Sequence, residues 1–146
     1  RSPAGELHLI DLDLCFPNGI VMSEDEEMLY VNEHRQNRTL EYPLFRGDTE
    51  LGRVILHAFS SKSLLPEESA FELGPDGLCI GSDGELWVAH YGAGEVIRLD
   101  PNGVILDVLT LPRGRLTTNV AYCPSENSLY ITEAEFGLLY RAQIPD

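Results

Sequence analysis

The stretch from Gly74 to Gly103, GPDGLCIGSDGELWVAHYGAGEVIRLDPNG, constrains this chain more than any other. Three short apolar runs, Leu78 to Ile80, Leu86 to Ala89 and Val96 to Leu99, are divided by Ser82-Asp83-Gly84 and by Tyr91-Gly92-Ala93-Gly94. Asp100-Pro101-Asn102-Gly103 then turns the chain into Val104 to Leu109. Asp-Gly and Asn-Gly between apolar runs are strong hairpin signals, because type I′ turns need positive φ at both central residues. The pattern predicts a four-stranded antiparallel meander with no helix in it.

The unit recurs. Upstream, Pro17-Asn18-Gly19-Ile20-Val21-Met22 leads to Leu29-Tyr30-Val31; downstream, Thr117-Thr118-Asn119-Val120-Ala121-Tyr122 leads to Leu129-Tyr130-Ile131. Ile20, Leu78 and Val120 correspond, and a third strand follows each time at Thr39 to Leu44, Val96 to Leu99 and Leu138 to Ile144. Meanders repeating every 40 to 60 residues or so are the signature of propeller blades. Three matched landmarks per unit separate this from a β-sandwich whose strands merely look alike. The expected class is all-β: three four-stranded antiparallel blades at about 16–59, 74–109 and 117–145, within one half-propeller domain spanning 1–146.

Second strands return the chain to the end of the ring where first strands begin. Glu33, His90 and Glu133 follow the second strands of their units, so they are expected at the same end as Asn18, Asp76 and Thr118. Glu33, His90 and Glu133, with Thr118 and Asn119, are therefore the candidate substrate contacts. Polar loops at a blade top are also simply wet, which is the competing account of Glu33 and Glu133.

The phrases FPNGIVMSEDEEMLYVNE, GPDGLCIGSDGELWVAHYGAGEVIRLDPNG and TTNVAYCPSENSLYITEA together resemble the second half of the SMP-30/gluconolactonase/regucalcin-like family. That resemblance implies half of a six-bladed propeller, a divalent metal at the channel mouth and hydrolysis of sugar lactones. Carried over residue by residue, Asn18 and Asp76 match the family's Asn and Asp metal ligands, and Asp76 doubles as the candidate catalytic residue activating water. The family's ligand Glu, from its first blade, has no counterpart here. Ca²⁺ is the expected ion, with Zn²⁺, Mg²⁺ or Mn²⁺ also suited to such donors.

Half a ring leaves blade faces and strand edges open, and such surfaces assemble. The alternating segment Glu6 to Asp11 reads as a strand without a blade of its own. A second copy of the chain would supply the missing blades, with Glu6 to Asp11 completing the partner's last blade. A complementary half on another polypeptide, a fragment of a larger lactonase, and a non-catalytic binding or assembly module are the alternatives. Ser60 to Leu73 is an insertion on the mouth side, with Pro66 to Ser69 suited to a short helix start.

Ten Lys and Arg against 24 Asp and Glu give a net charge of −14, which argues against nucleic-acid binding. No apolar run is long enough for a membrane span. Cys15, Cys79 and Cys123 are an odd number, expected as small buried hydrophobes in a reducing, cytoplasmic setting. The sequence opens at Arg1 rather than Met, which leaves an upstream segment open.

Overall fold

The computed structural model of the chain describes residues 5–44, 52–60 and 72–145. They form three antiparallel sheets. The first contains β1 (Pro17–Met22), β2 (Met28–Glu33), β3 (Arg38–Pro43) and β4 (Val54–Ala58) in sequence order. The second holds β5 (Gly74–Ile80), β6 (Leu86–Tyr91), β7 (Glu95–Leu99) and β8 (Ile105–Thr110), and the third β9 (Thr117–Cys123), β10 (Ser128–Glu133) and β11 (Leu138–Gln143). The inner strands β1, β5 and β9 lie side by side. This is the expected all-β partial propeller, with three strands in its last sheet.

Alternation of side chains explains the sequence of each sheet. In β6, Leu86 and Val88 pack toward the first sheet with Tyr30 and Ile97, while Trp87 and Ala89 pack toward the third with Val120, Leu129 and Ile131. A strand buried on both faces has no solvent side, hence the unbroken run Leu-Trp-Val-Ala. Leu86 and Val88 each contribute roughly 1.5–3 kcal/mol by leaving water. Among the described residues only one face of β11 has a neighbour, and its residues alternate half-buried and exposed, with Leu139 71% exposed.

Two expectations need correction. The turns at Ser82-Asp83-Gly84 and Asp100 to Gly103 are not type I′, since only Gly84 and Gly103 have positive φ there. Pro101 could not adopt positive φ in any case. A bond from the Gly103 N–H to the Asp100 carbonyl closes the second turn, leaving glycine alone in the left-handed region. The three cysteines are free and half-buried rather than fully buried. Cys79 alone packs against a core cluster, and burial pushes its thiol up to about 12, leaving it inert.

Glu6 to Asp11 forms no strand within this chain, and Leu7 is 99% exposed. Nearby, Leu14 packs on Val31, Leu40 and Tyr42 at the outer face of the first sheet, and Asp11 accepts a hydrogen bond from Tyr42 at 2.7 Å. The helix start expected at Pro66 to Ser69 lies outside the described residues. Among the described residues, no helix is long and apolar enough to cross a membrane.

Candidate functional site

All three inner strands carry the same irregularity. Pro17 pairs with Glu33 and Ile20 with Val31, so Asn18 and Gly19 together oppose one residue, Asn32. Pro75 pairs with His90 and Leu78 with Val88, so Asp76 and Gly77 oppose Ala89. In the third sheet Thr117 pairs with Glu133 and Asn119 with Thr132, leaving Thr118 as the extra residue. Each is a β-bulge, which bends the strand and re-aims a side chain. Proline fits there because a bulge or strand start needs no ladder donor. The PNG and PDG motifs are thus bulges inside the inner strands.

The bulges converge on a cleft of about 400 Å³ lined by Asn18, Gly19, Ile20, Asp76, Gly77, Leu78, Thr118 and Asn119. The two glycines make the approach possible. A Cβ on Gly19 would lie 2.3 Å from the Asp76 carbonyl oxygen, and one on Gly77 2.0 Å from Asn119 Oδ1. The Asp76 backbone is gripped from behind: Asn32 Nδ2 donates to its carbonyl at 2.7 Å, and Thr39 Oγ1 donates to Asn32 Oδ1 at 2.7 Å. Thr118 meets Thr132 hydroxyl to hydroxyl at 2.8 Å, and Asn119 Oδ1 accepts from Val120 N at 3.0 Å.

Burial raises the Asp76 carboxyl above its ordinary value of 3.8. The nearby His34 and a hydrogen bond from the Asn18 amide pull it partly back. His34 is buried in the 3-10 turn after β2, its ring edge-on to Phe16 and Tyr91 with centroids 5.5 Å away in both cases. Its Nδ1 has no hydrogen-bond partner among the described residues, and its Nε2 lies 3.9 Å from Glu72.

Strand pairing puts Glu33, His90 and Glu133 opposite the starts of the inner strands, at the end derived from the sequence. Their side chains are not in the cleft. Glu33 is 1% exposed, accepts Cys15 N at 2.7 Å and pairs with Arg38. Glu133 is 2% exposed and accepts three backbone amides, those of Leu116, Glu135 and Phe136, at 2.8–3.0 Å. His90 Nε2 lies 2.9 Å from Asn37 Oδ1, and the ring faces Phe59 beside a separate cleft of about 610 Å³. Second strands aim His90 and Glu133 between sheets and Glu33 at the outer face of the first sheet, so strand direction gives the end while alternation assigns another face. Sequence reasoning passed over Asn32, Thr39 and His34. A polar residue alternating with Tyr30 on a buried face was the available signal for Asn32.

The donors of the cleft, a carboxylate, two amides and a hydroxyl, fit a hard divalent cation in kind. In number they fall short: among the described residues no three His, Cys, Asp or Glu side chains converge on one point.

Three antiparallel sheets whose inner strands lie side by side, with bulges presenting oxygen donors at one end, define a partial β-propeller. The pattern of the SMP-30/Gluconolactonase/LRE-like region matches residues 1–135, and the chain belongs to that family. It is 31% identical over 145 residues to lactonase drp35 of Staphylococcus epidermidis, covering 89% of this chain and 42% of the relative. A solved gluconolactonase of Xanthomonas campestris superposes with a TM-score of 0.68 at 26% identity, over 92% of this chain and 39% of that one. A calcium-binding protein, regucalcin, from Agrobacterium tumefaciens gives a TM-score of 0.65 at 25% identity, over 82% and 38%. The chain thus spans less than half the length of these three proteins.

Proposed function

We propose that this chain supplies half of a metal-dependent lactone hydrolase of the gluconolactonase type. The observation that carries the reading is the meeting of Asn18 and Asp76, from bulges of adjacent inner strands, in one oxygen-lined cleft. Asn18 and Asp76 would hold the ion, Ca²⁺ first given the calcium-binding relative. When bound, such an ion supplies Lewis-acid polarisation of the lactone carbonyl. Asp76 takes a proton from the attacking water, and its burial-raised basicity suits that role. Water oxygen bonds to the carbonyl carbon, the ring ester C–O bond breaks, and the proton ends on the released hydroxyl of the acid. Thr118 and Asn119, on the same cleft, contact the substrate.

The reading includes a second half-ring. The last sheet has three strands and an open β11 edge, while Leu7, Leu9, Ile10 and Leu12 are exposed without a sheet. A second copy of this chain, donating Glu6 to Asp11 to the partner's β11, answers both features and brings further oxygen donors. A complementary half on another chain would do the same. Three free cysteines suit a reducing, cytoplasmic setting. The shortfall of carboxylates favours a second reading, a non-catalytic binding or assembly module.

The test is hydrolysis of glucono-1,5-lactone by the purified protein after chelation and after Ca²⁺ is restored, with native mass measured on the same sample. The expected result is activity lost with chelator and regained with Ca²⁺, in a particle of two chains. Absent or chelator-indifferent hydrolysis would leave the binding module, and a one-chain mass at micromolar concentration would remove the pairing.

A further inference from the structure

We propose that Asn32 is a positioning residue that locks the β5 bulge so that the Asp76 carboxylate faces the cleft; this rests on the metal reading above. The strand face that Asn32 shares with Tyr30 packs against the second sheet, where an apolar side chain would suffice for packing. A buried amide there costs free energy unless both its ends are paired. Both are. Asn32 and Thr39 are 0% exposed, the Thr39 hydroxyl fixes Oδ1 at 2.7 Å, and Nδ2 donates to the Asp76 carbonyl at 2.7 Å.

The acceptor is significant. A bulge disrupts the local ladder, and a buried carbonyl there needs a partner from outside the strand. Asn32 supplies it from the neighbouring sheet, while Gly19 lets β1 close on the same carbonyl. The backbone that carries Asp76 is thereby tied to the sheet that carries Asn18. Supporting hydrogen bonds one step removed from a metal typically govern about 10- to 100-fold in affinity.

The experiment compares wild type with Asn32→Leu, nearly equal in size, as full chains in their native assembly. Two readouts are taken: Mn²⁺ affinity by electron paramagnetic resonance, and the side-chain carboxyl ¹³C resonance of Asp76 without metal. The expected result is Mn²⁺ binding weakened by about 10- to 100-fold with a displaced Asp76 resonance. If wild type binds Mn²⁺, either readout staying at its wild-type value overturns the proposal. If wild type binds no Mn²⁺, the metal reading fails on its own. The resonance then decides: displaced, Asn32 positions Asp76; unmoved, it does not. Should Asn32→Leu not fold, Thr39→Val, which frees the Asn32 amide to rotate, is judged by the same readouts, with a smaller weakening expected.

Discussion

Gly19→Ala is expected to destabilise the chain by about 3 kcal/mol, the upper end for overpacking. The added methyl would lie 2.3 Å from the Asp76 carbonyl oxygen and 2.6 Å from Leu78 Cδ2. The first contact is with backbone, held on its far side by Asn32, so no side-chain rotation relieves it. The inner strands β1 and β5 must separate, breaking the Asn32–Asp76 bond and drawing Asn18 away from Asp76. A kcal/mol moves the midpoint of a chain this size by about 2–4 °C, so a fall of roughly 6–12 °C is expected. Gly84→Ala is the control. A Cβ there meets nothing within 4 Å, and its φ of +77° costs only about 1–2 kcal/mol. Thermal unfolding of the two variants side by side checks this; equal losses would mean that close approach of the inner strands is unimportant.

Asp76→Asn should separate stability from function. Hydrolysis is expected to fall by at least about 100-fold, beyond what loss of a merely supporting partner brings. Stability should move the other way. Burial raises the folded carboxyl above 3.8, so the folded chain holds this proton more tightly than the unfolded chain. Such a group favours folding most below its unfolded value, and that contribution is lost as pH rises through the folded value. At pH 7 the ionised carboxylate is a net cost that asparagine avoids. The variant should therefore melt above wild type at pH 7, with the gap closing as pH falls toward 3. A variant less stable than wild type at pH 7 would contradict the assigned effect of burial. Stability withheld at a functional position is a common trade.

Particular residues show how far the sequence could be read. Leu86 to Ala89, an unbroken apolar run between turn signals, announced a strand buried on both faces. Repetition of that run beside Leu29-Tyr30-Val31 and Leu129-Tyr130-Ile131 announced the blades. Repetition placed Asn18 and Asp76 alike at the starts of inner strands, whereas their proposed role as ligands came from the family resemblance and not from the repeat. Glu33, His90 and Glu133 lie at the expected end but line no part of the cleft, since alternation carries His90 and Glu133 between sheets with Val88 and Ile131, and Glu33 to the outer face with Val31. The three amides gathered by Glu133 come from two segments, Leu116 just before β9 and Glu135 and Phe136 in the turn after β10, and no local pattern brings them together. Asn32 and Thr39 act on Asp76 across 44 and 37 residues of chain, and the Asn32 contact itself spans two sheets. Such contacts follow from how blades close on one another, which turn chemistry and alternation do not encode.

The central claim is that the bulges of neighbouring blades bring oxygen donors together to hold an ion. Anomalous diffraction from crystals of the native assembly soaked in Mn²⁺ tests it most directly. The account predicts a peak within about 2.0–2.6 Å of both an Asn18 side-chain oxygen and an Asp76 carboxylate oxygen. A map without a peak there, or with Mn²⁺ held only elsewhere, would contradict it.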